Sequence, residues 1–336
     1  MKKSTLFTII ILIIFSFSTK LSSQNYWKLG DTLARNIISV DDLRYDVSFL
    51  SDSLCDGRAT GTKGSTVTKF WLCGQFKQAN LLPINGSYST TFDIKGSSLI
   101  GRNIIGLLPG EGKTDINSYI IIGAHFDHIG NLDGKLYPGA DANASGVVAV
   151  TSLAKIFASM KEIGRKYNSN IIFVGFDAHL HSLAGSKELW RMIKDKELID
   201  PITGSAITRN EIKYMINIDQ IGSSLAPIIP NRKNYLIMLG NNRLDYAHSY
   251  KIGKCNSFYY LNLDIGHSYY GSEHFTNLFY TLSDQKIFIE NGIKSFLFTS
   301  GITMNTNKTW DRADSLDYEV YRKRIMLIFH WLEKML

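Results

Sequence analysis

Residues 119–124 form an apolar run that stops at His125 and Asp127. The glycine-rich stretch Gly-Ala-Asp-Ala-Asn-Ala-Ser-Gly (139–146) comes next and opens a long apolar segment. A continuous apolar run bounded by polar residues reads as a strand buried on both faces, which needs helices on either side. The chain is thereby confined to an α/β architecture. Its polar groups gather at the end of a strand, where such sheets present metal ligands and bound molecules.

The same pattern recurs along the chain. Strands are expected at 103–108, 119–124, 170–176, 214–218, 235–239, 258–261 and 295–298, and helices at 40–51, 65–79, 145–162, 184–193 and 318–336. The glycines at 57, 61 and 64 mark a loop between the first two helices. Strand and helix in alternation predict one α/β domain over 101–336 with a mixed, mostly parallel central sheet. Residues 24–100 are expected to pack on it as an N-terminal extension.

The first 23 residues read differently. Lys2 and Lys3 precede an apolar stretch from Leu6 to Phe17, with small polar residues after it. About a dozen apolar residues fit a secretory h-region better than a bilayer span, an uncleaved anchor being the alternative. Cleavage is expected after Ser18, or at Ser22 or Ser23, and no cysteine lies nearby to make a lipoprotein. Export to a bacterial periplasm or beyond is the expectation, with no membrane attachment after signal removal.

Net charge is +7, and removing Lys2, Lys3 and Lys20 from 37 basic against 30 acidic residues leaves +4. The basic run Arg322, Lys323 and Arg324 falls in the last helix, where a solvated face accounts for it, so no nucleic-acid footprint is seen. The three cysteines, Cys55, Cys73 and Cys255, lack Cys-x-x-Cys spacing. Either Cys55 and Cys73 are bridged or all three are free thiols, and the odd count leaves at least one unpaired.

Five segments in order carry a family resemblance. Gly-Ala-His-Phe-Asp-His-x-Gly (123–130), the 139–146 stretch, Phe-Asp-Ala-x-x-x-x-Leu-Ala-Gly-Ser (176–186), Asn-Ile-Asp-Gln-Ile-Gly (217–222) and the segment from Met304 to Tyr318 resemble the M28 zinc aminopeptidases. The segment Arg58 to Thr62 is similar to one that precedes the catalytic core in exported bacterial members. The resemblance implies a zinc-peptidase (phosphorylase/hydrolase-like) three-layer α/β sandwich with its site at the carboxyl ends of the strands. It also implies co-catalytic chemistry, in which two zinc ions share a bridging aspartate and a glutamate takes a proton from water.

Carried over residue by residue, the pattern is incomplete. His125 stands at the first histidine ligand, Asp219 at the other private ligand of that zinc, and Asp127 at the aspartate that orients His125. The bridging position is Ala142, and Asp141 beside it replaces the bridge only if the loop re-forms. The general-base and ligand glutamates fall at His179 and Leu180, and the last histidine falls at Met304 or Asn305. Where a further histidine often comes after Ser-Asp in the family, this chain has Ser283-Asp284-Gln285. Two of five ligands remain, both on one zinc.

His179 and His181 are either replacement ligands or a polar loop filling vacated space, and His125–Asp127 without metal is a residual buried hydrogen bond. His128, His267 and His274 are expected in loops near the cleft, and His248 and His330 on helices. Ser145 and Ser182 lack a nucleophile-elbow sequence. Tyr259, Tyr260, Tyr269 and Tyr270 suit either a peptide-binding cleft or core packing.

Two functions fit this pattern. One is a non-catalytic exported scaffold that binds a peptide or similar ligand and holds no zinc. The other is an aminopeptidase with one weakly held zinc at His125 and Asp219, supplemented by His179, His181 or Asp141. Glutaminyl-cyclase chemistry is the weaker third, since it resembles a site built on Ala142, Leu180 and the final histidine position.

Overall fold

The computed structural model describes residues 23–112, 117–224, 233–240, 246–269 and 271–336. The expected signal segment up to residue 22, and Tyr270, lie outside them. Helices are α1 (Ser23–Ile37), α2 (Val40–Leu50), α3 (Lys63–Gln78), α4 (Ser145–Glu162), α5 (Ala184–Lys194), α6 (Tyr246–Phe258), α7 (Glu273–Tyr280), α8 (Gln285–Glu290) and α9 (Tyr318–Glu333). The main strands are β1 (Leu82–Pro83), β2 (Ser89–Asp93), β3 (Ile100–Leu108) and β4 (Tyr119–His125), then β7 (Asn170–Phe176), β8 (Ile212–Ile218), β9 (Tyr235–Leu239), β10 (Asp264–Gly266) and β11 (Lys294–Thr299). A small hairpin of β5 (Gly130–Leu132) and β6 (Lys135–Tyr137) stands apart from them.

The nine main strands form one mixed sheet in the order β1-β3-β7-β4-β8-β11-β9-β10, with β2 also on β3. Its centre, β7, β4, β8 and β11, is parallel, while β3 and β9 run antiparallel to it. Every residue of β4 and β7 is buried, as strands covered on both faces require. Alternation along β4 divides two cores. Ile120 and Ile122 pack with α1, α2, α3, α4 and α9, whereas Tyr119 and Ile121 pack with α5 on the opposite face. The result is the three-layer sandwich.

The described residues before 100 are joined to this body. Ala34, Ile38, Leu43, Val47, Leu72 and Phe76 share the core of α4 and α9, and β1 and β2 extend the sheet edge through β3. His330 of α9 lies 3.2 Å from Asp31 of α1 and stacks on Tyr259 at 3.3 Å. All three cysteines are free thiols, which removes the Cys55–Cys73 bridge.

One expected strand is not formed. Residues 258–261 are the end of α6 and its exit turn, with the Tyr259 and Leu261 amides donating to Cys255 and Asn256 carbonyls. Tyr259 and Leu261 are buried while Tyr260 between them is 83% exposed. That alternation imitates a half-buried strand. The strand beside β9 is β10, a few residues later.

Arg58 is wholly buried behind the strand ends. Its guanidinium donates to the carbonyls of Leu50, Phe126, Pro138 and Gly139, so it ties α2 to the loops after β4 and β6. Burial pulls its pKa down to about 10. Arg58→Met removes these donors and leaves buried carbonyls unpaired, each costing about 1–3 kcal/mol. Urea unfolding is expected to show a loss of at least ~3 kcal/mol on that basis; a loss below ~1 kcal/mol would contradict the role.

Candidate metal centre

The carboxyl ends of the three neighbouring parallel strands β7, β4 and β8 meet at one point. His125 closes β4, Asp219 comes directly after β8 and His179 sits in the turn after β7. Their ligand atoms all lie within 4.8 Å of one another. His125 Nε2 is 3.4 Å from Asp219 Oδ1, and the His125 and His179 rings stack at 3.9 Å with planes 14° apart.

Each of these side chains is held from behind. His125 Nδ1 lies 3.1 Å from the main-chain carbonyl of Asp127 and 3.7 Å from its carboxylate. Orientation of His125 therefore comes first from the Asp127 backbone. The Asp127 carboxylate accepts the main-chain N–H groups of His179 and Leu180 at 2.9 and 3.1 Å, which fixes the turn carrying His179. His179 Nδ1 is 3.0 Å from Asp284 Oδ2, and Ser283 donates its hydroxyl to Asp219 Oδ2 at 2.7 Å. The loop after β6 is pinned in turn by Asn143, whose amide donates to the Ile218 carbonyl and accepts from the Gly146 and Gln220 N–H groups. Gly139 starts this loop at φ 59°, where an added Cβ would fall 2.4 Å from the His128 ring.

Charges interlock accordingly. Burial alone would lower the His125 pKa, but the neighbouring carboxylates of Asp219 and Asp127 outweigh it and hold the imidazolium well above its ordinary value. Burial would likewise raise Asp219, yet His125, His179 and the Ser283 hydroxyl keep it well below the usual carboxylate range. His128, buried against Arg58, is pushed down to about 3 and is a neutral imidazole.

Asp141 and His181 do not join this centre. The Asp141 carboxylate turns under the start of α4 and accepts from Gly222 N, Ser223 N and the Ser145 hydroxyl. The backbone on its two sides is fixed by Asp311, which accepts the Asp141 and Ala142 N–H groups. His181 lies in the turn, its N–H on the Ala178 carbonyl, and is absent from both the ligand cluster and the cleft wall. Ala142 and Leu180 line the cleft without donor atoms. Met304 is 75% exposed and outside it; Ile302, Thr306 and Asn307 face the cleft from that loop instead. His267 and His274 are likewise outside it, and His248 lies in α6.

The cleft encloses about 230 Å³. Tyr269, Phe279, Leu282, Leu297 and Ile302 supply much of its apolar lining. Asp219 is its one carboxylate among the described residues.

The donor set fits a single zinc ion. Two imidazoles and a carboxylate are a three-ligand complement that leaves one position open. Asp219 Oδ1 is buried with no hydrogen-bond partner, and both distal imidazole nitrogens rest on acceptors, as metal-ligating histidines do. Ala142 and Leu180, which also line the cleft, offer no side-chain ligand.

The fold is a three-layer sandwich whose central sheet carries imidazole and carboxylate groups at its strand ends. Residues 103–331 match the model of peptidase family M28, and the chain belongs to that family. A protein of Pyrenophora tritici-repentis described as a probable zinc metalloprotease is 29% identical over 120 residues, 34% of this chain and 24% of its own length. The match therefore spans about a quarter of that relative. Among solved structures, the Legionella pneumophila LapA aminopeptidase superposes with a TM-score of 0.66 at 18% identity, covering 94% of this chain and 76% of its own. Porphyromonas gingivalis glutaminyl cyclase superposes with a TM-score of 0.63 at 17% identity, covering 89% of this chain and 99% of its own. At these identities the superpositions establish the fold.

Of the groups that build the centre, the sequence pattern missed Asp284 as the partner of His179. Its signal was the Ser-Asp pair at 283–284, which the M28 resemblance already singles out. Because zinc must displace the proton that Asp219 and Asp127 hold on His125, zinc affinity is expected to rise with pH. Chelator competition at pH 6 and pH 8 should give at least about tenfold tighter binding at the higher pH. Equal affinity at both would contradict the assigned ligand.

Proposed function

We propose that this chain is a single-metal member of its family, holding one zinc ion between His125, His179 and Asp219 beside a cleft for the amino-terminal end of a peptide. In this reading it no longer runs the two-metal aminopeptidase reaction. The observation that carries it is the convergence of those three side chains with both histidines anchored from behind.

Zinc at this position would supply Lewis acidity toward a carbonyl oxygen or water. The chemistry around it is set by the protein's own groups. Asp219 and the two imidazoles are taken up as ligands, with Ser283 keeping Asp219 oriented. The apolar side of the cleft accommodates an uncharged side chain and excludes water. At the family's general-base position stands His179, whose Nδ1 is bonded to Asp284, and Leu180 beside it carries no proton acceptor. A missing general base lowers turnover by about 10²–10⁴-fold. Peptide binding with little or no hydrolysis is the consequence.

Lys2, Lys3 and the apolar run from Leu6 to Phe17 support export, with peptides outside the cytoplasm as ligands. Mass spectrometry of the protein isolated from the cell envelope should find an N-terminus between Thr19 and Gln24. An intact Met1 there would contradict cleavage.

The direct test pairs metal analysis with turnover of amino-acid anilides. One zinc per chain is expected, lost in His125→Ala and bound measurably more weakly in His179→Ala, with turnover absent or about 10²–10⁴-fold below enzymes that keep a carboxylate base. Two zinc ions per chain, or none in the unaltered protein, would sink the single-metal reading. Turnover of about 1 s⁻¹ or more that vanishes with His125→Ala would make the chain a working single-zinc hydrolase instead.

A further inference from the structure

We infer that Asp284 is a positioning residue of a rebuilt centre, turning His179 from an uncommitted loop histidine into a ligand. The inference rests on the single-metal reading for its consequence, and on geometry of its own for its basis.

Asp284 is wholly buried. Its Oδ2 lies 3.0 Å from His179 Nδ1, while Oδ1 has no hydrogen-bond partner. A carboxylate removed from water is costly unless a donor or cation meets it, and His179 is the side chain in that position here. The dependence runs both ways. An imidazole that donates Nδ1–H to a carboxylate is locked in one tautomer, with Nε2 left as the lone-pair donor. Asp284 thus leaves Nε2 as the His179 atom able to bind metal.

The neighbours of Asp284 serve the same frame. Ser283 donates to Asp219 Oδ2, the second ligand. Asn217, in β8 two residues before Asp219, donates to both Ser283 Oγ and Gln285 Oε1, at 2.8 and 2.7 Å. Gln285 donates onward to the Tyr280 carbonyl at the end of α7. Three consecutive residues, 283 to 285, therefore hold two of the three ligands in fixed relation from a segment far away in sequence. His125 is outside this frame and is oriented by Asp127. Loss of Asp284 should consequently act through His179 alone.

A double-mutant cycle on the full chain tests this, reading zinc affinity by chelator competition at pH 8 for the unaltered protein, Asp284→Asn, His179→Ala and the double variant. Asp284→Asn should weaken zinc about 10–100-fold, the range of outer-shell substitutions, and should have no further effect once His179 is alanine. Unchanged affinity in Asp284→Asn, or the same loss in both backgrounds, overturns the positioning role. A second readout needs no metal: ¹⁵N shifts of His179 in zinc-free protein should report the Nδ1–H tautomer, lost in Asp284→Asn. If the unaltered protein binds no zinc but the tautomer responds to Asp284, the single-metal reading fails while the positioning stands. A tautomer indifferent to Asp284 overturns the inference whatever the metal result.

Discussion

The buried carboxylate of Asp127 governs the centre. It accepts two main-chain N–H groups, from His179 and Leu180, across more than fifty residues of sequence. Those bonds stitch the turn after β7 to the loop after β4 and bring the His179 ring over that of His125. Without that carboxylate, two buried donors lose their acceptor and the turn loses its reason to lie against β4. Everything chemical here depends on the closeness of those strand ends, which the parallel pairing of β7, β4 and β8 makes available.

The loops around the cleft are held by side chains that do not themselves belong to the ligand cluster. Arg58, Asn143 and Asp311 hold the loops around the cleft through backbone hydrogen bonds, so they are indifferent to which side chains point inward. That separation between scaffold and donor atoms lets Ala142 and Leu180 line an intact cleft. The His179–Asp284 pair places one imidazole beside that of His125 and beside the Asp219 carboxylate.

Much of the fold was legible because burial on two faces writes a simple pattern. The continuous apolar runs of β4 and β7 and the long apolar α4 are covered on all sides, and their spacing allows nothing else. The stretch 258–261 misled because helix exit and strand produce the same burial alternation over so few residues. At the centre, motif positions pointed to His125 and Asp219, which lie together with His179 in the structure, and to Asp141 facing another way, as its bonds to Gly222, Ser223 and Ser145 show. Whether His179 was a ligand or filler was not legible. Its placement is decided by Asp127 and Asp284, contacts spanning 52 and 105 residues, and no local pattern encodes such distances. Likewise the supporting role of the Asp127 main-chain carbonyl belongs to backbone geometry, which residue identity does not reveal.

One ion bound by two imidazoles and one carboxylate can be read directly by X-ray absorption at the zinc edge of the loaded full chain. Two imidazole scatterers with oxygen completing the shell, and no metal–metal vector, are expected. A metal–metal vector at about 3.5–4 Å, the separation in two-metal sites, or a shell containing no imidazole, would contradict the single-metal reading.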